Sequence, residues 1–355
     1  MSELNKERAR EFSNRMIGVL NDGFLAMMTS IGHQTGLFDG MAKLPPSTST
    51  EIASACELDE RYVREWLGAM VVGRIVEYDP DGARYHLPPE HAGSLTRAAG
   101  SANIATITQF VSCMGEVEDG IAECFRKGGG LPYSAYERFH KVMVGVSGQI
   151  VEQTLIGRTL RLVDGLVDRL REGIDVLDVG CGSGHAINLM AREFPQSRFT
   201  GYDFSAEAVE AGQAEARAWG LSNARLVAQD VTAIPDRVAY DFITAFDSIH
   251  DQAAPRTVLR RIAEALRDDG LFLMVDIQAS SHVEKNIDNP MAAYLYSIST
   301  MHCMSVSLAL DGEGLGAMWG EEKAQELLAE AGFARVEVER VEGDAFNNFY
   351  VCRKG

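Results

Sequence analysis

The sequence predicts an α/β protein with a doubly wound, mostly parallel seven-stranded sheet that closes with an antiparallel hairpin, behind an N-terminal α-rich winged-helix domain. From residue 174 onward, short apolar runs alternate with helical periodicity, which is typical of parallel strands joined by helices. The last two strand-like runs, 336–341 and 346–352, are too close in sequence for a parallel crossover and must form a hairpin. Residues 47–95 instead follow the order helix, turn, helix, hairpin, which predicts the winged helix.

The chain is longer than one average core requires, so we expect more than one domain. We predict a winged-helix dimerisation domain over 1–100, a helical linker that also carries pocket residues over 101–172, and a ligand-binding domain over 173–355. The predicted strands of the last domain cover 174–179, 198–202, 224–228, 242–246, 271–277, 336–341 and 346–352. A glycine-rich break at 128–133 interrupts the helices of the linker.

The first forty residues predict helix, with an apolar stripe that is wider than one face of a small domain needs. It would cover a second copy of the chain, giving a homodimer, or pack on the chain's own C-terminal domain. In the head, Ser49 or Thr50 is expected to cap a short helix and Asp59 a second one. The stripe comprises Met16, Val19, Leu20, Phe24, Met27, Met28 and Ile31, and the second helix is expected to turn Tyr62, Val63, Trp66, Leu67 and Met70 inward.

The charge balance argues against several partners. The chain carries 51 acidic and 33 basic side chains, a net charge of -18, so its field repels phosphate backbones and anionic lipid. A DNA-reading helix would begin with basic residues, whereas this one begins Asp59-Glu60. We therefore expect no nucleic-acid or membrane partner. No signal peptide or spanning segment is recognisable, which predicts a cytoplasmic protein, and six dispersed cysteines without a CxxC pair predict neither disulfides nor a metal site.

The strongest motif is VLDVGCGSG at 176–184, a strand that runs into glycines and then a helix. Glycines at such a turn let a ligand approach the backbone amides of the helix N-terminus. A dinucleotide fold would place its third glycine at position 185, where this chain has His185. Asp178, within the strand, also suits a cationic group better than a pyrophosphate.

Three further motifs follow in order at the ends of the next predicted strands, namely GYDFS at 201–205, AQDV at 228–231 and AFDSIHD at 245–251. With this loop and these strand ends, the chain resembles the class I S-adenosylmethionine-dependent methyltransferases. The resemblance implies S-adenosylmethionine as the cofactor, with Asp203 accepting both ribose hydroxyls, Asp230 and Val231 at the adenine, and the segment that begins at Asp247 facing the methyl group. The cofactor-binding residues that it implies are Asp178, Gly180, Gly182, Asp203, Phe204, Asp230, Val231 and Asp247.

The whole chain also resembles small-molecule methyltransferases with an N-terminal dimerising domain, including plant-type O-methyltransferases and a mycobacterial group without a defined substrate. That resemblance implies His250 as general base, with Asp251 or Asp276 orienting it. The family's further acid, before the last helix, has no counterpart in 316–320. Candidate residues that contact the substrate are Tyr133, Phe139, His140 and His302.

The sequence thus predicts transfer of a methyl group to a small molecule, most simply to oxygen. The base matters only if the acceptor must lose a proton, and His250 otherwise only shapes the pocket. The alternative function is a regulator that senses the cofactor, contacts DNA or a protein through the winged helix and transfers no methyl group. The sequence does not name the methyl acceptor.

Overall fold

The computed structural model describes residues 4–234 and 239–355, except for the side chain of His140. It divides into two compact units, residues 1–115 and 116–355. The helices of the first unit are α1 (Lys6–Thr35), α2 (Leu37–Met41), α3 (Ser49–Cys56), α4 (Glu60–Val72), α5 (Pro89–Leu95), α6 (Ile104–Ile107) and α7 (Gln109–Gly115). Its two short strands, β1 (Glu77–Asp79) and β2 (Arg84–His86), pair antiparallel as the predicted hairpin.

The first unit is built as the sequence predicts, with two corrections. Asp59 caps α4 by accepting from the amides of Arg61 and Tyr62, as expected. The cap of α3, however, is Thr48 rather than Ser49 or Thr50, because Thr48 and Glu51 form a reciprocal capping box. Tyr62, expected inward, is 81% exposed, since the core face of α4 is completed by other side chains. Those buried residues are Val63, Trp66, Leu67 and Met70.

The helices of the second unit are α8 (Glu118–Lys127), α9 (Phe139–Thr154), α10 (Leu166–Glu172), α11 (His185–Glu193), α12 (Ala206–Ala218), α13 (Pro255–Ala265), α14 (Ala292–Ile298), α15 (Met304–Leu308) and α16 (Gly320–Glu330). A short π-helix, Ser299–Cys303, joins α14 to α15. The strands are β3 (Asp175–Val179), β4 (Arg198–Asp203), β5 (Ala224–Ala228), β6 (Tyr240–Phe246), β7 (Leu266–Ile277), β8 (Phe333–Glu339) and β9 (Asn347–Lys354).

These seven strands form one sheet in the order β5-β4-β3-β6-β7-β9-β8. The first five are parallel, and β9 pairs antiparallel with both β7 and β8, which confirms the predicted hairpin. From β3 to β5 successive strands are added on one side of β3, and β6 and β7 are then added on its other side. The strand order therefore reverses between β3 and β6. Ligands of open α/β sheets bind at such a switch point, beyond the carboxyl ends of the strands.

Apolar side chains cover both faces of the sheet. One cluster includes Ile243, Leu259 and Leu327, and the other includes Phe199, Phe242 and Leu273. The central strands are therefore buried, and the loops at their carboxyl ends are attached to a packed core. No helix among the described residues is long and apolar enough to cross a membrane.

Candidate active site

The loop after β3 is tied to the neighbouring strand and open towards a ligand. The amides of Gly180 and Cys181 donate to the carbonyl of Tyr202 at 2.8 and 3.1 Å. Gly182 has φ +53, and a Cβ added there would meet no atom within 4 Å. At Gly180 a Cβ would lie 2.5 Å from the Cβ of Ser248. The loop thus packs on one side and leaves bare backbone on the other, as a cofactor cradle requires.

Asp203, at the end of β4, is positioned by this loop. Its Oδ2 accepts from the amide of Gly182 at 2.8 Å, and its Oδ1 accepts from the amide of Ser205 at 2.9 Å. The two oxygens of a carboxylate together offer about four lone-pair sites, which is the chemistry that accepts hydrogen bonds from hydroxyl groups. This geometry fits a residue that holds a ribose.

Asp178 lies inside the sheet rather than on the open side of the loop. The hydroxyl of Thr244 donates to its Oδ1 at 2.7 Å, and the residue is buried. Burial raises the pKa of Asp178 to about 7, although the bond from Thr244 opposes this shift. These contacts favour a supporting role beneath the loop over direct contact with a ligand.

The residues expected around the adenine follow β4 and β5. Asp230 is exposed and accepts both the amide and the hydroxyl of Thr232 through Oδ1, at 2.8 and 2.7 Å. Val231 is buried in the core next to it. Phe204, 56% exposed, lies edge-on to Tyr133 with ring centroids 5.3 Å apart. The ring of Phe204 and the carboxylate of Asp230 are thus both exposed, which leaves the surface at the ends of β4 and β5 accessible to a flat ligand.

Asp247, directly after β6, has a strained backbone with φ +48. Its amide donates to the carbonyl of Val275 at 2.9 Å, which ties the end of β6 to β7. The side-chain atom Oδ1 is buried and has no hydrogen-bond partner among the described residues. Burial and the nearby Asp276 raise the pKa of Asp247 well above its usual range. Strain and an unpaired buried oxygen at a switch point are features of functional sites.

His250 brings the three predicted catalytic residues together. Its Nδ1 lies 2.7 Å from Oδ1 of Asp276, and its Nε2 lies 3.3 Å from Oδ1 of Asp251. The ring is buried, and the thiol of Cys303 lies beside it. A ring nitrogen of His250, a carboxylate oxygen of Asp251 and Sγ of Cys303 all lie within 4.8 Å of one another. Burial alone would lower the pKa of His250, but the carboxylates of Asp276 and Asp251 outweigh it and raise that pKa well above 6.5.

Asp276 is itself held by a residue that the sequence did not indicate. The indole N–H of Trp319 donates to Oδ1 of Asp276 at 3.0 Å, and the amide of Ile277 donates to the same oxygen at 2.8 Å. Trp319 lies in the segment where the family's further acid has no counterpart. Only the folded chain joins these positions, which are 43 residues apart.

Aromatic side chains surround the site on the linker side. The rings of Phe139 and His302 are stacked with their centroids 3.6 Å apart. The ring of Tyr133 stands edge-on to that of His302, with the centroids 5.5 Å apart. Burial raises the pKa of the Tyr133 phenol, and the negative charges of Asp251 and then Asp203 add to this shift. The structure thus gathers three of the four predicted substrate-binding residues. The side chain of the fourth, His140, lies outside the described part of the chain.

The glycine-rich break at 128–133 explains the position of Tyr133. A Cβ on Gly130 would lie 1.8 Å from the carbonyl oxygen of Ser305, so no other residue fits this approach to α15. The amide of Leu131 donates to Oγ of Ser305 at 2.8 Å. The loop is therefore anchored beside the π-helix that carries His302.

Family comparisons divide the chain in the same order. Residues 23–97 match the Rv2258c-like winged HTH domain, and residues 170–336 match a methyltransferase domain. A relative from Papaver somniferum, (S)-coclaurine N-methyltransferase, is 25% identical over 163 residues, which is 44% of this chain and 46% of that enzyme. The fatty-acid O-methyltransferase of Mycolicibacterium smegmatis is 31% identical over 105 residues, 30% of this chain and 38% of that enzyme. The chain thus spans less than half the length of these relatives.

Solved structures share the fold over nearly the whole chain. PigF with S-adenosylhomocysteine has a TM-score of 0.69 and 18% identity, covering 99% of this chain and 100% of that one. Human N-acetylserotonin methyltransferase in complex with S-adenosylmethionine has a TM-score of 0.64 and 17% identity, and both chains are covered completely. Together with the two family matches, this fold identifies a winged helix-turn-helix domain followed by a methyltransferase domain of the class I fold.

Proposed function

We propose that the chain is an S-adenosylmethionine-dependent methyltransferase that transfers the methyl group to an oxygen atom of a small, flat, largely apolar molecule. One observation carries the proposal: the open loop at Gly182 and the fixed Asp203 lie at the same edge of the sheet as the His250–Asp276 pair. A donor cradle and a base thus share one switch point.

The residues present suit the donor. A Cβ at Gly182 would meet no atom within 4 Å, the carboxylate of Asp203 is fixed beside this loop, and the exposed carboxylate of Asp230 can accept a hydrogen bond from an amine. Bound S-adenosylmethionine supplies a methyl group on a sulfonium that already makes it reactive. The chain must then hold the acceptor about 3 Å from that carbon and exclude water. Tyr133 and Phe139 supply the apolar enclosure.

His250 has the geometry of a general base. In its neutral form the proton sits on Nδ1 and is donated to Asp276, so Nε2 carries the lone pair. Nε2 can take the proton of an acceptor hydroxyl as the oxygen attacks the methyl carbon. Asp251, 3.3 Å from Nε2, then stabilises the imidazolium together with Asp276. The base is not required if the acceptor is already an anion or a neutral amine.

The direct experiment incubates the protein with methyl-labelled S-adenosylmethionine and fractionated cell metabolites, and follows the label by mass spectrometry. A labelled small molecule supports the proposal. Binding of the cofactor with no labelled product in any fraction, together with a protein or DNA partner, would favour the regulator instead. The acidic residues that begin α4, with Asp59 as its cap, weigh against a DNA-reading role.

We further propose that the protein works as a homodimer in the cytoplasm. Large apolar side chains on one side of α1 are exposed, among them Leu20 at 60% and Phe24 at 61%. A second copy of the same helix would remove this surface from water. The exposed set also includes Phe12, Met16, Ile17, Val19, Met27 and Ile31.

Light scattering at micromolar concentration is expected to give twice the mass of the chain. Phe24→Glu should shift the protein towards monomer, because it places a charge in the apolar interface. Asn14→Glu, on the other side of the same helix, should not. A wild-type protein that stays monomeric would disprove the dimer.

A further inference from the structure

The anchor of the His250–Asp276 pair is asymmetric. Three donors converge on Oδ1 of Asp276: the ring Nδ1 of His250 at 2.7 Å, the amide of Ile277 at 2.8 Å and the indole N–H of Trp319 at 3.0 Å. The other oxygen, Oδ2, is buried and has no hydrogen-bond partner among the described residues. The hydrogen bonds that fix this carboxylate therefore all go to Oδ1, and the loss of any one donor should change the charge or the position of that oxygen.

The indole of Trp319 is fixed from its own side. The amide of Trp319 donates to the carbonyl of Gly316 at 3.1 Å, and its carbonyl accepts from Oγ of Ser281 at 2.6 Å. The side chain is 5% exposed and belongs to the core cluster beneath the sheet. A backbone held at both ends and a packed ring leave the N–H only one direction, which is towards Asp276.

We propose that Trp319 is a positioning residue that holds Asp276 against His250 through its indole N–H. This inference rests on the proposed function because it concerns the same base. An N–H donor disperses the negative charge of Asp276. Trp319 therefore weakens the pull of Asp276 on the His250 proton.

The proposal predicts in which direction the pKa of His250 changes when the indole N–H of Trp319 is removed. The groups that face His250 are Asp276, Asp251, Asp247 and the thiol of Cys303, and the two nearest carboxylates favour the imidazolium. Loss of the indole N–H concentrates the charge on Asp276. We expect the His250 pKa to rise by about half a unit or more in Trp319→Phe.

The test follows the imidazole nitrogens of the full-length protein by NMR after labelling with ¹⁵N-histidine, with the His250 signals assigned by their loss in His250→Asn. Trp319→Phe keeps the ring and removes only the donor. Trp66→Phe is the matched control, because Trp66 is equally buried and its indole N–H donates to the carbonyl of Met28 at 2.8 Å. The titration should move upward in Trp319→Phe and stay unchanged in Trp66→Phe. A His250 titration that is the same in both variants would overturn the proposal.

A second measurement avoids any loss of folding in the variant. In the wild-type protein, the indole N–H signal of Trp319 should shift with pH along the titration of His250, because both groups donate to one oxygen. The signal of Trp66 should not follow it. A Trp319 signal that ignores the His250 titration contradicts the inference. Neither measurement needs methyl transfer, so a failed activity assay leaves this test intact.

Discussion

Replacing His250 by Ala is expected to lower turnover by roughly 10² to 10⁴ for an acceptor hydroxyl of high pKa, while the affinity for the cofactor stays nearly the same. Only proton removal is lost, because the loop at Gly182 and the carboxylate of Asp203 do not depend on the imidazole. Initial rates and calorimetry with S-adenosylhomocysteine measure the two quantities separately. His282→Ala, an exposed histidine outside the site, serves as the control.

The pH profile tests the same role independently. Asp276 and Asp251 raise the pKa of His250 well above 6.5. Since a base must be neutral to accept a proton, activity should fall on the acid side with an apparent pKa above that value, and this limb should vanish in His250→Ala. A variant with undiminished turnover and the same acid limb would show that His250 only shapes the pocket.

Replacing Asp203 by Ala is expected to weaken cofactor binding by roughly 1 to 3 kcal/mol, which is about 5- to 150-fold. The change removes the acceptor for the ribose hydroxyls and also releases the amides of Gly182 and Ser205. Calorimetry with S-adenosylhomocysteine measures the loss. Asp203→Asn keeps one acceptor oxygen, so its affinity for S-adenosylhomocysteine should lie between those of the wild type and Asp203→Ala. Asp168→Ala, on the exposed surface of α10, should bind with the affinity of the wild type. Unchanged affinity in Asp203→Ala would place the cofactor elsewhere.

The sequence was sufficient for the sheet, and it indicated residues that the fold brings together at the carboxyl ends of the strands. Alternating apolar runs predicted the positions of all seven strands, because strands buried on both faces leave a strong local pattern. The start of β7 was wrong, since this strand begins at Leu266 rather than at Leu271. The short connection before β9 gave the antiparallel hairpin. The glycines at 180–184 predicted the tight turn between β3 and α11, since a turn with positive φ needs glycine in the local sequence.

The side-chain partners inside the site were beyond sequence reasoning. Asp178 bonds to Thr244, 66 residues away, and Trp319 bonds to Asp276, 43 residues away. Such contacts depend on sheet order and on the packing of α16, and no local pattern records them. Thr48 was missed as a cap for a different reason, because neighbouring serine and threonine residues can all cap and only the capping box decides between them.

The buried His250–Asp276 pair also links the stability of the protein to pH. In the unfolded chain the imidazole has its ordinary pKa of 6.5, whereas in the folded chain that pKa is raised. The pair therefore stabilises the fold fully below about pH 6.5, and this contribution is lost as the pH rises through the folded pKa. Melting temperatures measured from about pH 6 to 9 should fall more in the wild type than in His250→Asn. For an acceptor hydroxyl that needs the proposed base, the neutral imidazole is the active form, so the protein would be most active on the side of this titration where its fold is weaker. Selection for thermal robustness at this pair would then work against rate.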